Sequence, residues 1–437
     1  MEHRIKFRCL PLIFIIAMLG FISCQKNPIP QGRDDSGQNG GRKDQYPWVS
    51  FDVVKGLERG TIMTLSINRQ GYEVQKVNVV FESIYEYKYQ RLILCRTPED
   101  VPIGAGDSGS PLSLGDGRIA GLLCYGFDGN SHQFAARAIE DVMSVTDAEG
   151  GQVLAKGESS LLEPILPVAF SSRIDPAYLR RMMGADRYGF FGRLGGAQSI
   201  EKHTHLAKPS AAHAVSIIPG VSIAVFEMSG DLVDLGAIGT LGTIESDKMY
   251  AFGHSYSDTP TPLAAPAVLA QTATFIESGF TGFKYAAPTQ DTIGAFTSQS
   301  GYGILIREGM RSRTYPAVVS VQFNGSAPSI YSHRIVNTRS VAYEKFLGAF
   351  AASYSVYAQL PSFLDSDSLF ARGNVRIVLE NAVLDTTFFL AGTASIDWDI
   401  WDLIDQKLRV EDSGPHIVDF QAEIRLFKTR DDSNLNQ

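Results

Sequence analysis

A glycine-rich segment at residues 104–112, with the sequence GAGDSGSPL, lies between two strand-like runs. The upstream run is residues 91–95 (RLILC), and the downstream run is residues 118–123 (RIAGLL). Glycines allow the backbone to turn tightly and allow another group to come close to the chain. The segment therefore predicts a tight loop between β-strands, with Ser108 in the loop.

A serine in this setting has the surroundings that a nucleophile needs. The backbone N–H groups of Gly106 and Ser108 can both point at one oxyanion, as they would in a serine peptidase. The same residues also suit a Gly/Ser/Asp hairpin that carries no chemistry, since the pattern is short. On this string alone both interpretations stay open.

The composition limits the class of protein. The chain has 437 residues, of which 44% are hydrophobic and 20% are charged, so it is long enough for two or three domains with large cores. Its formal net charge is −8 and no long basic run follows the N-terminus, which argues against a nucleic-acid partner. Cysteine and histidine form no cluster with metal-ligand spacing, so we expect neither a metal nor another cofactor.

The first 23 residues resemble a bacterial lipoprotein signal peptide. Basic residues at positions 4, 6 and 8 precede an apolar stretch at residues 10–22, which is short for a transmembrane helix. Ser23 and Cys24 follow, so the resemblance implies cleavage before Cys24 and attachment of a lipid to it. An ordinary signal peptide or a retained anchor is the alternative, and each of these predicts export. With the lipid, the protein is membrane-anchored and faces the periplasm or the cell surface.

Residues 24–45 are polar and rich in Gly, Pro, Asn and Asp, which predicts a flexible tether. Beyond the signal and the lipid candidate, only Cys95 and Cys124 remain, one on each strand that flanks the serine segment. In an oxidising compartment they form a disulfide if those strands are neighbours, and otherwise they are two buried thiols.

The pattern of the remaining chain is mainly β. Strands are predicted at residues 61–67, 72–80, 84–95 and 133–138 in a first block (46–160), and at 221–226, 237–244 and 249–252 in a second block (219–310). A connecting segment (161–218) lies between the blocks. Strands at 316–323, 374–380, 383–389 and 417–427 predict a C-terminal β-sandwich-like domain (311–428), before a disordered tail (429–437). Short helices are predicted at 139–145 and 340–351, and a hairpin turn at 114–118.

His254 follows a predicted strand and a glycine in the string MYAFGHSYSD, at residues 249–258. A histidine in this position emerges at the end of a strand, where it can act as a base. A single histidine beside a strand is also compatible with a purely structural role.

Two strings together resemble the SpoIVB-type serine peptidases. The first is residues 106–111 (GDSGSP) followed by residues 116–121 (DGRIAG). It is similar to the family's serine block, a Gly-Met-Ser-Gly-Ser-Pro core followed by an Asn/Asp-Gly-Lys/Arg turn. The second is residues 235–240 (LGAIGT) through residues 251–254 (AFGH), which is similar to the histidine block, where Gly-Thr on a strand precedes Gly-His. The likeness extends over most of the two β blocks.

This resemblance implies a trypsin-like double β-barrel, here with the serine half before the histidine half. It implies that Ser108 is the nucleophile and His254 the general base, with the N–H groups of Gly106 and Ser108 as the oxyanion hole. The substrate would be a protein or peptide, and the membrane would be reached through the N-terminal lipid.

The chain departs from the family pattern in its order and in one neighbour of the serine. In the namesake peptidases the histidine block comes first, whereas here the serine block does; geometry and role rather than order define a triad, so the chemistry permits this. Asp107 replaces the family's methionine, and a carboxylate there can order the oxyanion loop through a salt bridge. We also find no PDZ-like module in the sequence.

The third departure concerns the acid that orients the histidine. Thr97, in the loop at residues 97–103, falls close to the place where the family has its acid. Asp100 in the same loop is the first candidate, and Asp258 is the second.

The sequence thus predicts an exported, lipid-anchored serine endopeptidase that acts through an acyl-enzyme on Ser108. The alternative is a non-catalytic surface lipoprotein that uses a peptidase scaffold to bind a protein or a glycan. A carbohydrate-active enzyme would need paired carboxylates in a cleft, and no spacing in the sequence points to such a pair.

Overall fold

Alternation of apolar and polar residues runs through most of the chain, and these residues form strands in the computed structural model. The structure describes residues 46–87, 90–127, 130–147, 162–164, 168–171, 178, 198–199, 215–256, 259–278, 281–360, 369–391 and 395–428. Of these residues 56% lie in strands and 14% in helices, so the prediction of a mainly β protein is confirmed.

The first sheet forms a closed barrel. Its elements, in chain order with those that adjoin it, are α1 (Phe51–Lys55), β1 (Ile62–Gln70), β2 (Glu73–Tyr87), β3 (Gln90–Arg96), β4 (Gly104–Ala105), β5 (Pro111–Ser113), β6 (Ile119–Phe127), β7 (Asn130–Ala138), α2 (Ile139–Met143) and β8 (Leu162–Pro164). Six strands pair in the order β5-β1-β2-β3-β7-β6, and β5 also pairs with β6, which closes the barrel. Strand β8 pairs with the last three residues of β6, beyond the part of that edge that pairs with β5.

The interior of this barrel follows the period of two expected for strands. Met63, Leu65 and Ile67 alternate along β1 and are buried in one cluster with Leu112 of β5 and Phe134 of β7. The predicted turn at 114–118 is present, with Gly117 in a left-handed conformation at φ 86°.

The predicted strands at 72–80 and 84–95 have the wrong boundaries, because residues 84–87 belong to β2 and the second strand, β3, starts only at Gln90. The predicted break between residues 80 and 84 is a shift of register between Phe81 and Ser83, and β2 continues to Tyr87. A β-bulge absorbs the extra residue there, so the strand bends without ending.

The second sheet is larger. Its strands are β9 (Val168–Ser171), β10 (Gln198–Ser199), β11 (Ser222–Gly230), β12 (Leu235–Glu245), β13 (Lys248–Ala251), β14 (Ala265–Ser278), β15 (Thr281–Ser300), β16 (Gly303–Glu308), β17 (Thr314–Phe323), β18 (Ser329–Val336), β19 (Phe370–Leu379), β20 (Val383–Leu390) and β21 (Ile417–Phe427). Within it the pairings β12-β13-β16-β15-β14-β11 return to β12, because β11 pairs with both β14 and β12. These six strands therefore make a closed circuit of pairings.

The C-terminal strands extend this same sheet rather than forming a separate one. The first part of β11 pairs with β12 and β14, and its last part, Met228–Gly230, pairs with β18. From there the order is β18-β17-β21-β19-β20. The strands on either side of residue 310 thus belong to one sheet.

Helices cover the C-terminal strands where we expected the second sheet of a sandwich. They are α3 (Val341–Gln359) and α4 (Ile396–Asp402), which continues into a π-helical turn (Leu403–Lys407). Helix α3 starts at the predicted place, where the side chain of Ser340 accepts a hydrogen bond from the N–H of Tyr343. It is buried on nearly every side, because the strands pack on one side and Trp401 of α4 packs on another, with its ring 4.7 Å from that of Phe346.

No helix in the described ranges combines the length and apolar character needed to cross a membrane. The predicted signal peptide, Cys24 and the tether lie outside those ranges.

Candidate active site

The serine segment runs from one sheet to the other. Its first residues, Gly104–Ala105 (β4), pair in parallel with Gly282 and Phe283 of β15 in the second sheet. Its last residues, Pro111–Ser113 (β5), pair with β1 and β6 in the first barrel. We call residues 104–111 the serine loop; its position fixes Ser108 at the contact between the two sheets.

Two glycines in this loop have left-handed backbone conformations that other residues rarely adopt. Gly106 and Gly109 have φ values of 88° and 93°, in the left-handed region that favours glycine. A Cβ atom on Gly109 would lie 2.1 Å from the carbonyl oxygen of Thr240 and 2.5 Å from the backbone nitrogen of Phe252. The backbone of the serine loop therefore touches the backbone that leads to His254.

Thr240 on β12 joins the two loops by hydrogen bonds. Its N–H donates to the carbonyl oxygen of Ser108 at 2.9 Å, and its hydroxyl donates to the carbonyl oxygen of Gly106 at 3.0 Å. Its own carbonyl oxygen accepts from the N–H of Phe252 at 3.4 Å. Thr240 thus binds the residues on either side of Asp107 and also the backbone two residues before His254.

His254 lies just beyond β13, after two residues with left-handed backbones. Phe252 and Gly253 have φ values of 68° and 66°, and a Cβ atom on Gly253 would lie 2.9 Å from the carbonyl oxygen of Leu123 on β6. The imidazole is buried, and its Nδ1 lies 2.7 Å from the carbonyl oxygen of Ser255. Because a carbonyl only accepts, Nδ1 carries the proton and the lone pair of the neutral ring is on Nε2, the nitrogen that a general base would use.

Ser108 is completely buried, and its hydroxyl has no hydrogen-bond partner among the described residues. The hydroxyl of Ser110 is in the same situation. His254 therefore does not bond to Ser108 in this conformation, although the two loops that carry them are in contact. Buried polar atoms without a partner are costly and rare, and they often mark sites of function.

Asp107 is held by two cations that come from the two sheets. Its carboxylate is fully buried and forms an ion pair with Arg69 of β1 at 2.5 Å and with Lys284 of β15 at 3.7 Å. It also accepts a hydrogen bond from the N–H of Gly104 at 3.2 Å. The predicted salt bridge at this position is thus present, and it holds the residue next to Ser108.

The two cations have further contacts that fix them in place. Arg69 donates to the carbonyl oxygen of Pro102 at 2.7 Å and stacks on the ring of Phe275. Lys284 donates to the hydroxyls of Ser222 and Thr240 at 3.1 and 3.0 Å. Complete burial lowers the pKa of Lys284 to about 8, even though Asp107 opposes the shift.

The candidate acids are less well placed. Asp100 is exposed on a turn closed by the hydrogen bond from the N–H of Val101 to the carbonyl oxygen of Pro98, and no contact between it and His254 is present in the described residues. Asp258 lies outside the described ranges.

Three residues of the site were missed from the sequence: Arg69, Thr240 and Lys284. A lysine in an otherwise apolar strand is a signal for Lys284, since such a charge must find a partner when the strand is buried. Thr240 was part of the Gly-Thr string but had no role assigned to it. Nothing in the sequence near Arg69 distinguishes it from other basic residues.

Cys95 and Cys124 are both buried and free. They lie on β3 and β6, which are separated by β7, so their side chains are too far apart for a disulfide. Burial raises the pKa of Cys124 to about 12, which makes it a poor nucleophile. No group of three or more metal-ligating side chains occurs within the described part of the chain.

The chain was compared with protein-family models and with curated proteins, and neither comparison gives a match.

Proposed function

We propose that this protein is a serine peptidase whose two closed circuits of strands are the halves of a trypsin-like double β-barrel. The contact between the serine loop and the histidine loop carries this proposal. Ser108 and His254 come from different sheets and from distant parts of the sequence, and Thr240 links the two loops directly. A hairpin without chemistry has no need for this convergence.

The mechanism follows from the groups at this contact. Nε2 of His254 takes the proton of the Ser108 hydroxyl while Oγ forms a bond to a peptide carbonyl carbon. The N–H groups of Gly106 and Ser108 hold the resulting oxyanion. The C–N bond breaks, the imidazolium returns its proton to the leaving amine, and water then hydrolyses the acyl-enzyme with His254 as base again.

In this proposal, the conformation in which the Ser108 hydroxyl is buried is the resting state of the enzyme. Substrate binding must open the site and bring the hydroxyl within hydrogen-bond distance of Nε2, since contacts in a free enzyme tighten in the complex. Asp107 is not the triad acid here, because its carboxylate is bound by Arg69 and Lys284. Its role is to hold the oxyanion loop.

Labelling with a fluorophosphonate probe tests the proposal. We expect covalent labelling of the wild type, its loss in Ser108→Ala, and a loss of at least 100-fold in His254→Ala. Ser110→Ala is the matched control, because its hydroxyl is equally buried and lies in the same loop; it should still label. Equal labelling of Ser108→Ala, or no labelling of the folded wild type, would overturn the proposal.

The second candidate is a non-catalytic surface lipoprotein on the same scaffold. The observation that favours it is the completely buried Ser108 hydroxyl without a bond to His254. In this case no variant labels, and Ser108→Ala is more stable than the wild type because it removes an unpaired buried hydroxyl.

For the N-terminus we propose export and lipid attachment at Cys24. Mass spectrometry of the protein from a bacterial membrane fraction should show a diacylglyceryl group on Cys24. Cys24→Ala should abolish this modification and release the protein from the membrane, and a membrane-bound Cys24→Ala protein would contradict the proposal.

A further inference from the structure

Arg137 of β7 lies on the outer face of the first barrel. Its neighbours along the strand, Ala136 and Ala138, belong to the core inside the barrel, so the alternation of a strand turns Arg137 to the other face. Its cross-strand partner on β6 is Leu122, which packs in one cluster with Tyr250 of the second sheet. The side chain of Arg137 is therefore located in the seam between the two sheets.

This part of the seam adjoins both loops of the candidate active site. Leu123 on β6 accepts a hydrogen bond from the N–H of Gly109 in the serine loop at 2.8 Å. A Cβ atom on Gly253, the residue before His254, would lie 3.2 Å from the Cβ of Cys124. Because β7 pairs with this part of β6, the arginine is close to both loops.

The guanidinium of Arg137 is completely buried and incompletely paired. Its Nη2 donates to the hydroxyl of Tyr125 at 2.9 Å, whereas Nε and Nη1 have no hydrogen-bond partner among the described residues. A guanidinium has five N–H donors and stays charged in a protein, so the three donors on Nε and Nη1 are unused. A buried cation in this condition is costly until another group binds those donors.

No carboxylate in the described part of the chain forms an ion pair with this guanidinium. Glu140 and Asp141, which follow β7 on α2, bind Arg91 instead. The thiol of Cys124 is nearby, but burial raises its pKa to about 12 although the guanidinium opposes the rise, so the thiol is neutral at neutral pH. Burial also raises the pKa of Tyr125, which stays protonated. The groups that surround the cation are thus neutral.

Two tyrosine rings cover the guanidinium. The ring centroids of Tyr125 and Tyr302 lie 5.5 and 5.2 Å from its central carbon, which gives two cation–π contacts. Both tyrosines are only half-buried, so the cation lies beneath side chains that themselves reach the surface. Tyr302 is in the turn between β15 and β16, with Gly301 and Gly303 on either side, so its ring can move aside without a change in the strands.

We propose that Arg137 is a binding site for a carboxylate group, which enters the seam beside Tyr302 and accepts the unused donors of the guanidinium. A carboxylate fits because its two oxygens accept parallel N–H bonds from one edge of a guanidinium. The second N–H of Nη2 completes such an edge with Nε or with Nη1. This inference goes beyond the proposed peptidase function and does not depend on it. A free organic acid and a glutamate side chain of a polypeptide supply the same group, and two kinds of probe distinguish them.

NMR of arginine Nε–H groups tests the site in full-length protein with isotope-labelled arginine. The Arg137 resonance is the one that is missing from Arg137→Met. We expect it to shift saturably with sodium formate and not with sodium chloride at the same ionic strength. Formate should also raise the urea unfolding midpoint of the wild type, relative to chloride, and should lose this effect in Arg137→Met.

Two further variants separate the guanidinium from its charge and from its surroundings. Arg137→Lys keeps a cation without the planar fork, and it should bind formate at least about tenfold more weakly. Arg91→Met is the matched control, because Arg91 is on the adjacent strand β3 and already has carboxylate partners. It should leave the affinity for formate within about twofold of the wild type.

Two amidated alanine peptides identify the source of the carboxylate, one with a single central glutamate and one with glutamine in its place. They are used with Ser108→Ala to prevent turnover. A shift of the Arg137 resonance with the glutamate peptide, and not with the glutamine peptide, assigns the site to an acidic side chain of a polypeptide. A shift with formate alone assigns it to a free organic acid.

The proposal is overturned if folded wild type shows no saturable shift with formate or the glutamate peptide, or if chloride has an equal effect. Asp141→Asn tests for an internal partner. A changed Arg137 resonance in this variant, with no response of the wild type to formate, would make Asp141 the partner in solution and would also overturn the proposal. Fluorophosphonate labelling is read separately, so an unreactive Ser108 defeats the peptidase function and leaves these binding results standing.

Discussion

Asp107 in the serine loop and Glu344 in α3 are both completely buried, but their surroundings differ. Glu344 accepts four hydrogen bonds, from the N–H groups of Thr338 and Ile417, the side-chain amide of Asn337 and the ring of His416, at 2.8–3.1 Å. These donors lie in the same C-terminal part of the chain. The carboxylate is fully satisfied there and ties the start of α3 to the start of β21.

Asp107 is bound mainly by charges from elsewhere. Arg69 and Lys284 reach it from two different sheets, so one partly buried and one fully buried cation face one carboxylate. The hydroxyls of Ser108 and Ser110 beside it have no partners. The polar groups around Asp107 are therefore less completely paired than those around Glu344, which is the difference we expect between a functional and a structural carboxylate under the proposed function. The predictions below test this difference.

The largest effect is expected for Asp107→Ala. It removes the anion that faces the fully buried Lys284 and the partly buried Arg69, which should lower the free energy of unfolding by about 3–5 kcal/mol. Urea unfolding measures this, and loss of fluorophosphonate labelling should accompany it. Asp100→Ala, at an exposed position, should change stability by no more than about 0.5 kcal/mol. A cost below about 1 kcal/mol for Asp107→Ala would show that the cluster does not depend on this carboxylate.

Gly109→Ala should separate the serine loop from the histidine loop. The new Cβ would lie 2.1 Å from the Thr240 oxygen, so we expect a loss of about 3 kcal/mol in stability and of at least 100-fold in the labelling rate. Gly117→Ala is the matched control, with a similar φ of 86° but open space around the added Cβ. It should cost about 1–2 kcal/mol and leave labelling unchanged. Equal labelling of the two variants would mean that the contact between the loops is not needed.

Glu344→Gln should affect stability without affecting the site. The amide places an NH₂ group opposite two of the four donors, which should cost about 2–3 kcal/mol in urea unfolding. Labelling of Ser108 should persist under folding conditions. If Glu344→Gln abolished labelling in folded protein, the contrast between a structural and a functional carboxylate would be lost.

Stability should rise with pH through the titration of Lys284. Its pKa falls from 10.5 to about 8 on folding, so between these values the unfolded chain binds more protons than the folded protein. The free energy of unfolding should therefore increase, by about 2 kcal/mol from pH 8 to pH 10 relative to Lys284→Met. Parallel curves for the two proteins would contradict a lowered pKa. Tyrosines titrate in both proteins, so their contribution to the pH dependence cancels in the comparison with Lys284→Met.

The smallest effect concerns the two cysteines of the first barrel. Because Cys95 and Cys124 are buried and lie on strands that are not neighbours, a reducing agent should leave the unfolding midpoint unchanged. A disulfide would instead contribute about 2–4 kcal/mol. Alkylation followed by mass spectrometry should find both thiols only after unfolding.

Much of the fold was predictable because strand alternation is a local property. The strand at Ile417–Phe427 agrees with its prediction at both ends, and the start of α3 follows from the cap at Ser340. The long strands β14 and β15 were missed, since several register shifts interrupt their alternation. Helix α4 was missed as well; Asp397 is buried among its apolar residues, so its buried face does not stand out as apolar in the sequence.

The sequence by itself determined several strands of both blocks, the glycine-rich loop around Ser108 and the place of His254 after a strand. These depend on residues that are neighbours along the chain. Only the tertiary structure decided which cations meet Asp107, that Thr240 joins the two loops, that Ser108 is buried without a partner, and that Leu162–Pro164 lies on the edge of β6. Those outcomes depend on strand pairing across long stretches of chain and on the loss of water around charges, and neither can be read from local sequence.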